Sequence, residues 1–411
     1  MMVSSLINYK CNHDFNKEEA MNNTKIFKLT LISGALALCN IPQALAGAQC
    51  DVVISSSHHL VDGDTLGIVA GDTICLAAGE RGPLRIRNVH GEAGKPVVIR
   101  NEDGTVTTRP YEYSIAVEKS SQLRITGSRG ETGYGMRLGG TVGIGGLSEY
   151  IEIDNIEIYR ARFAGLLIKT DPTCDPATWQ ENFTMRGLRV HHNYIHDTET
   201  GEGMYIGYTG KSRKLECDGV VTTVYPHKLT DVDIYNNTLE NIGADGIQLN
   251  SVAGDATIRN NKIYRTGVSP FDPKYQNTGI QVGGDHVVVT GNLIYRSGGN
   301  GMMLDGDGLT IHDNRILYAG ENGIFARNPA QQDSTITGGD AHVYSENLIV
   351  HPGSYGIKLY ATNTQTPNQI KENTVENHGQ VDAANRPMTY SYLNNNVLRQ
   401  ELNNRHYVVE Q

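Results

Sequence analysis

Along most of the chain, apolar and polar residues alternate over four or five positions and then break off, the period of short strands with one buried face. Many of these strands open with glycine: Gly165-Leu-Leu-Ile, Gly203-Met-Tyr-Ile, Gly246-Ile-Gln-Leu, Gly279-Ile-Gln-Val, Gly301-Met-Met-Leu, Gly323-Ile-Phe-Ala and Gly356-Ile-Lys-Leu. From Gly203 onward the gaps are 43, 33, 22, 22 and 33 residues, so a basic unit of 22 residues with loop insertions accounts for all of them. A second repeat, apolar-x-apolar-x-x-Asn-x-apolar, places Asn193, Asn237, Asn261, Asn292, Asn314, Asn347, Asn373 and Asn396 at equivalent points.

Asparagine at a fixed turn tolerates left-handed backbone angles, and its amide can bond the asparagine of the next turn. Stacked coils with an internal asparagine ladder predict an all-β fold, a single-domain right-handed parallel β-helix. Earlier segments read as its first coils: Gly71-Asp-Thr-Ile-Cys-Leu, Leu84-Arg-Ile, Val97-Val-Ile, Leu123-Arg-Ile and Ile151-Glu-Ile. At about 4.8 Å per coil, roughly a dozen coils are expected. The segment from about residue 380 is expected to form a last coil or a cap.

The first 46 residues read differently. Lys25 and Lys28 precede an apolar run from Leu29 to Leu38, and Ala44-Leu45-Ala46 follows as a small-x-small cleavage pattern. The expectation is an extension and secretory signal over 1–46, cleaved after Ala46, and a β-helix over 47–411, located in the periplasm or outside the cell. The run is too short for a stable membrane anchor. Removing it leaves Cys50, Cys75, Cys174 and Cys217. An even count in an exported chain favours disulfides, and pairing neighbours along the chain gives Cys50–Cys75 and Cys174–Cys217.

Composition narrows the function classes. The formal charge of −10 becomes −11 once four Lys and three acidic residues leave with the signal, and basic residues are scattered. Nucleic-acid binding is therefore not expected. A hydrophobic share of 38% and 21 Tyr exclude a disordered chain and a polytopic membrane protein.

Gly71-Asp-Thr-Ile-Cys-Leu-Ala-Ala-Gly, Gly94-Lys-Pro-Val-Val-Ile and the Asn/Gly coils resemble the secreted right-handed β-helix polysaccharide lyases of the pectate, alginate and chondroitin lyase kind. Uronan C5-epimerases and several glycoside hydrolases share that superfamily. The resemblance covers most of the chain past the signal, but its motifs are architectural. An Asp-Pro-His signature, associated with alginate epimerases, is absent; the nearest string is Asp272-Pro273-Lys274. Gly284-Asp285-His286 only approaches the Gly-His-Gly of polygalacturonase-like hydrolases.

The resemblance implies a ligand lying along the sheet of Gly-Ile-x-Leu strands. Alternation then turns Lys169, Tyr205, Gln248, Asn250, Gln281, Asp305 and Arg327 outward as binding candidates, with Glu202 at the turn before Tyr205 and Tyr208 just beyond it. Insertions at 170–185, 208–228 and 266–277 would wall a cleft between the Gly165 and Gly323 coils.

β-Elimination at a uronate needs a neutralised carboxylate, a base for the C5 proton and an acid for the leaving oxygen. Tyr205, Lys211 and His196 are the proton-transfer candidates, and Arg265 and Arg296 the carboxylate partners. Asp245, Asp305 and Asp307 are spare carboxylates that could hold Ca²⁺, although no DxDxDG loop is present. No other cofactor is expected. The leading expectation is a monomeric exported lyase acting on an acidic polysaccharide. Alternatives are a glycoside hydrolase using two of Glu202, Asp245, Asp305 and Asp307, a C5-epimerase, or a non-catalytic carbohydrate-binding rod.

Overall fold

The computed structural model describes residues 49–130, 133–327, 341–360, 368–376, 399–400 and 407–410. The signal segment, Asn396 and most of the expected C-terminal cap lie outside the described residues. The rest is a right-handed parallel β-helix. Each turn of the chain contributes a strand to each of three parallel sheets, in the order seen at Glu149–Asp154 (first sheet), Glu157–Tyr159 (second) and Leu166–Ile168 (third). Thr184–His191 then begins the next rank, pairing in parallel with Glu149–Asp154. The first sheet has 13 strands.

The core is a column of Ile, Val and Leu drawn from all three sheets, among them Ile153, Ile158, Leu166, Ile195 and Ile206, each at most 1% exposed. Burying each such side chain stabilises the coil by about 1.5–3 kcal/mol. The asparagine ladder runs through the turn between the first and second sheets. Asn193 Nδ2 donates to Asn237 Oδ1 at 3.0 Å, and the pattern continues through Asn261, Asn292, Asn314 and Asn347 to Asn373. One detail differs from expectation. The left-handed residue is the one before each ladder asparagine, such as His192 (φ 56°), Asn236 (55°) and Asn260 (55°). That bend turns the next side chain inward, where its amide serves the ladder.

The repeated glycine has a packing cause. A Cβ on Gly246 would lie 2.5 Å from the carbonyl oxygen of Gly279 in the next rank, and one on Gly279 2.6 Å from that of Gly301. Coils stacked at strand spacing leave no room there for a side chain.

Cys50–Cys75 (Cα–Cα 5.7 Å) ties the first rank to the second, and Cys174–Cys217 (5.5 Å) ties the 170–185 insertion to the 208–228 insertion. The latter insertion is not a plain loop. Arg213–Cys217 and Val220–Val224 form an antiparallel hairpin, turned by Asp218 (φ 52°) and Gly219 (φ 78°), the Asp-Gly signature of a tight hairpin. No helix among the described residues is long and apolar enough to cross a membrane.

Candidate active site

The third sheet carries a groove that begins in ranks before Gly165 and ends at Tyr205, in the upstream part of the expected Gly165–Gly323 interval. Parallel register stacks one outward position through successive ranks as Arg85, Ala116, Gly143, Leu167, Tyr205, Gln248, Gln281, Met303 and Phe325. Two consecutive members, Ala116 and Gly143, are small, so the sheet surface sinks there into a trough. Tyr113 leans into it; its ring atom would stand 2.7 Å from a Cβ on Gly143.

Two contiguous cavities follow from this. One of about 820 Å³ is bounded by Tyr113, Arg162, Phe163, Lys169, Tyr205 and Gln276. The other, about 510 Å³, reaches towards His59, Arg85 and Glu118. Tyr113, Leu167 and Lys169 belong to both, so the groove runs along the helix axis across the ranks. At the far end Phe163 packs on Tyr205 (ring centroids 6.1 Å) and on Phe271 (5.8 Å), walling the groove beyond Tyr205.

Tyr205 forms the floor at that wall. Its hydroxyl lies 2.8 Å from Thr209 Oγ1, which also accepts from Gln248 Nε2 at 2.6 Å. Burial pushes the Tyr205 phenol above its ordinary value, and the Thr209 contact only partly opposes this. Lys169 and Arg162 are exposed cations along the same groove. Asp171 faces it too and is 3.6 Å from Arg213 of the hairpin.

Glu202 and Asp245 occupy equivalent turn positions in adjacent ranks, and both are completely buried. With the amide nitrogen of Gln276 turned towards them, it donates to Glu202 Oε1 at 2.8 Å and to Asp245 Oδ2 at 3.2 Å. The Thr278 N–H donates to Asp245 Oδ1 at 2.6 Å, while Glu202 Oε2 has no partner. Desolvation raises the Glu202 carboxyl to about 7 and holds that of Asp245 well above the usual carboxylate range. Gln276 lines the groove, so this acidic pair sits behind its wall.

The other expected residues disperse. Gln248 (0% exposed), Gln281 (3%) and Asn250 (4%) face outward by register yet are covered, so they form no open ridge. Asp305 and Arg327 pair with each other through two contacts, Nε to Oδ1 at 2.6 Å and Nη2 to Oδ2, and so satisfy one another. His196, Arg265 and Arg296 stand on the second sheet, off the groove. There His196 bonds Asp197 (2.7 Å) and Glu157 (3.3 Å), and Arg265 bonds Glu240 (2.7 Å). Lys211 precedes the hairpin and does not line the groove. Tyr208 is half-buried beside it, its N–H held by Thr170 Oγ1 at 2.8 Å.

Two of the carboxylates expected to hold Ca²⁺ already have partners: Arg327 on Asp305, and Thr278 and Gln276 on Asp245. The Asp307 N–H donates to Asp285 Oδ1 at 3.0 Å. Among the described residues one group of three converges within 4.8 Å, Glu152, Asp154 and His191 on the first sheet. There Arg124 lies 3.1 Å from Glu152 and 2.7 Å from Asp154, already neutralising both.

Sequence reasoning did not reach Glu112, Tyr113, Arg162, Phe163, Asp171, Thr209, Phe271 and Gln276, which all line the groove. The available signal was the pair of small outward residues, Ala116 and Gly143, in two successive strands. The insertions were informative, since Asp171, Thr209, Phe271 and Gln276 come from all three of them.

Comparison with a known family agrees on the winding over part of the chain. The profile of the right handed beta helix region family matches residues 222–398. Among solved structures, a lacto-N-biosidase from Eubacterium ramulus is 11% identical over 87% of this chain and 67% of its own, with a TM-score of 0.45. An alginate lyase from a Paenibacillus species is 15% identical over 87% and 99%, with a TM-score of 0.39. A mannuronic acid specific family 6 polysaccharide lyase from human gut microbiota is 13% identical over 81% and 83%, at 0.42. No curated protein matches by sequence. At these identities and TM-scores the solved structures carry no reaction over to this chain.

Proposed function

We propose that the protein is an exported enzyme that cleaves a uronate-containing polysaccharide by β-elimination in the groove of the third sheet. The observation that carries this reading is Tyr205, a half-buried phenol on the floor of a groove that Lys169 and Arg162 also line. In the proposed reaction Arg162 pairs with the uronate carboxylate and so acidifies C5–H. Lys169, acting as the neutral amine, takes the C5 proton and becomes the ammonium, the C5–H electron pair becomes the C4–C5 double bond, and the C4–O bond breaks. Tyr205 protonates the departing oxygen, with Thr209 and Gln248 orienting its hydroxyl.

The carboxylates support hydrolysis less well. A hydrolase needs two carboxyl groups flanking the scissile bond from the cleft; the expected pair Glu202 and Asp245 is buried and shares the Gln276 amide, so only Glu112 and Asp171 on the groove lining are placed for that role. The two disulfides suit an oxidising compartment, in keeping with export.

The test incubates the protein from residue 47 onward with pectate, alginate and chondroitin, following ultraviolet absorbance of the unsaturated uronate alongside reducing ends. Both signals should rise together on one polymer. Reducing ends without the absorbance would overturn elimination in favour of hydrolysis.

A further inference from the structure

The second sheet carries a feature that the groove does not use. Its outer face consists of three stacked columns. From the rank of Thr238–Ile242 to that of Arg315–Leu317, register and the following residue place Thr238, Lys262, Leu293 and Arg315 in one. Glu240, Tyr264, Tyr295 and Leu317 form the next, and Asn241, Arg265, Arg296 and Tyr318 the third. Across these ranks lie four cations and one carboxylate, Glu240, in a chain whose net charge is −10.

Arg265 meets Glu240. Lys262, Arg296 and Arg315 are exposed, and none has a carboxylate at ion-pairing distance among the described residues. The aromatic rings continue from rank to rank: Tyr264 to Tyr295 at 6.4 Å, Tyr295 to Tyr318 at 5.7 Å, and Tyr318 to His351 at 5.0 Å. Arg296 covers the Tyr295 ring at 5.1 Å.

The third column lies at a corner of the coil. Asn241, Arg265, Arg296 and Tyr318 all adopt left-handed φ between 55° and 61°. At this bend Arg265, Arg296 and Tyr318 are exposed to solvent.

We propose that this face of the second sheet is a second, non-catalytic binding surface for an anionic polysaccharide strand lying along the helix axis. Sugar rings have apolar faces that stack on aromatic side chains, and uronate carboxylates pair with arginine and lysine. Rings that follow one another from rank to rank, with cations on both sides, match both features of such a polymer. The surface takes the polymer class, but not the reaction, from the function proposed above. It would hold the long substrate while the groove on the third sheet cuts it.

The test uses affinity electrophoresis in gels containing polygalacturonate, alginate or neutral dextran. The parent is Tyr205→Phe, which does not degrade the gel, and it is compared with the same protein carrying Tyr295→Ala and Arg296→Ala. A second pair, Lys262→Glu with Arg315→Glu, leaves the rings in place and guards against misfolding of the first. The expected result is retention by at least one acidic polymer that weakens about tenfold in both variants and with added salt. Dextran should retain neither. With Tyr205 restored, turnover of short uronate oligosaccharides should be unchanged by either pair.

Unchanged retention, equal loss on dextran, or no retention of the parent by any acidic polymer would overturn the proposal. So would a dimer seen by light scattering that the variants dissociate, because the face would then hold a second copy of the chain. Absence of turnover on every polymer would count against the groove reading alone, since retention is measured without catalysis.

Discussion

The third sheet has two halves built to one strand formula. In the upstream half, from Arg85 to Tyr205, the outward column includes Ala116 and Gly143, and the surface opens into a groove. In the downstream half, Gln248, Gln281 and Met303 occupy the same column, and each is at most 3% exposed. The backbone pairing is the same in both. What differs is side-chain volume at one position per coil and the chain that covers it. In a repetitive fold, then, the repeat locates the sheet, and departures from the repeat locate the site.

Removal of the Tyr205 hydroxyl should have the largest effect. Tyr205→Phe should lower kcat by about 10²–10⁴-fold, the span of general acid catalysis, while far-ultraviolet circular dichroism stays unchanged. The corresponding loss of Gln281 to Ala downstream should leave kcat within about threefold. Equal losses at the two would erase the distinction between the halves.

Filling the trough should come next. Gly143→Leu places its first carbon 2.7 Å from the Tyr113 ring and must displace it into the groove. KM should rise by about tenfold or more while the fold survives, because the added volume points away from the core. Unchanged KM would mean that substrate does not cross this rank. Lys169→Met, which keeps the stem and removes the charge, should lower kcat/KM by about 10²-fold. An effect confined to KM would demote it from proton transfer to binding.

The smallest effect is on stability. The folded Glu202 carboxyl is raised from 4.5 to about 7. Its neutral form is the one folding favours, so its contribution is complete below about pH 4.5 and is lost as pH rises through about 7. The swing is of the order of 3 kcal/mol. Glu202→Gln should make the fall in thermal stability between pH 5 and 7.5 shallower than in the native chain, leaving the part that Asp245 contributes. A native protein with no fall in that interval would contradict a buried neutral Glu202. Since Asp245 is raised as well, the native curve should keep falling at higher pH.

Much of the architecture was legible before any coordinates. The asparagine spacing predicts the ladder because one residue type can both fit the inner turn and bond its copy in the next coil. The cysteine pairing was legible because coils bring near neighbours in sequence side by side. The strand identity of Gly203-Met-Tyr-Ile, and hence the outward direction of Tyr205, followed from alternation alone. Exposure did not. Gln248 and Gln281 point outward as alternation requires, but their burial depends on what lies above them. Arg265 and Arg296 recur beside tyrosine, which the sequence displays, yet whether their turn feeds the groove or another face depends on how the coil is cornered.

The sequence by itself therefore determined the winding of this protein: strand period, asparagine ladder, glycine at the tight coil contacts and the two disulfides are all local or periodic signals. Tertiary structure decided where the groove opens and which groups share it. Glu112, Arg162, Phe163, Thr209 and Gln276 come from different coils and insertions, and no pattern along the chain records their meeting. The physical reason is one of range. Backbone pairing repeats at every coil and leaves a period in the sequence, whereas a cavity depends on the volumes of a few side chains and on the path of three unrelated insertions.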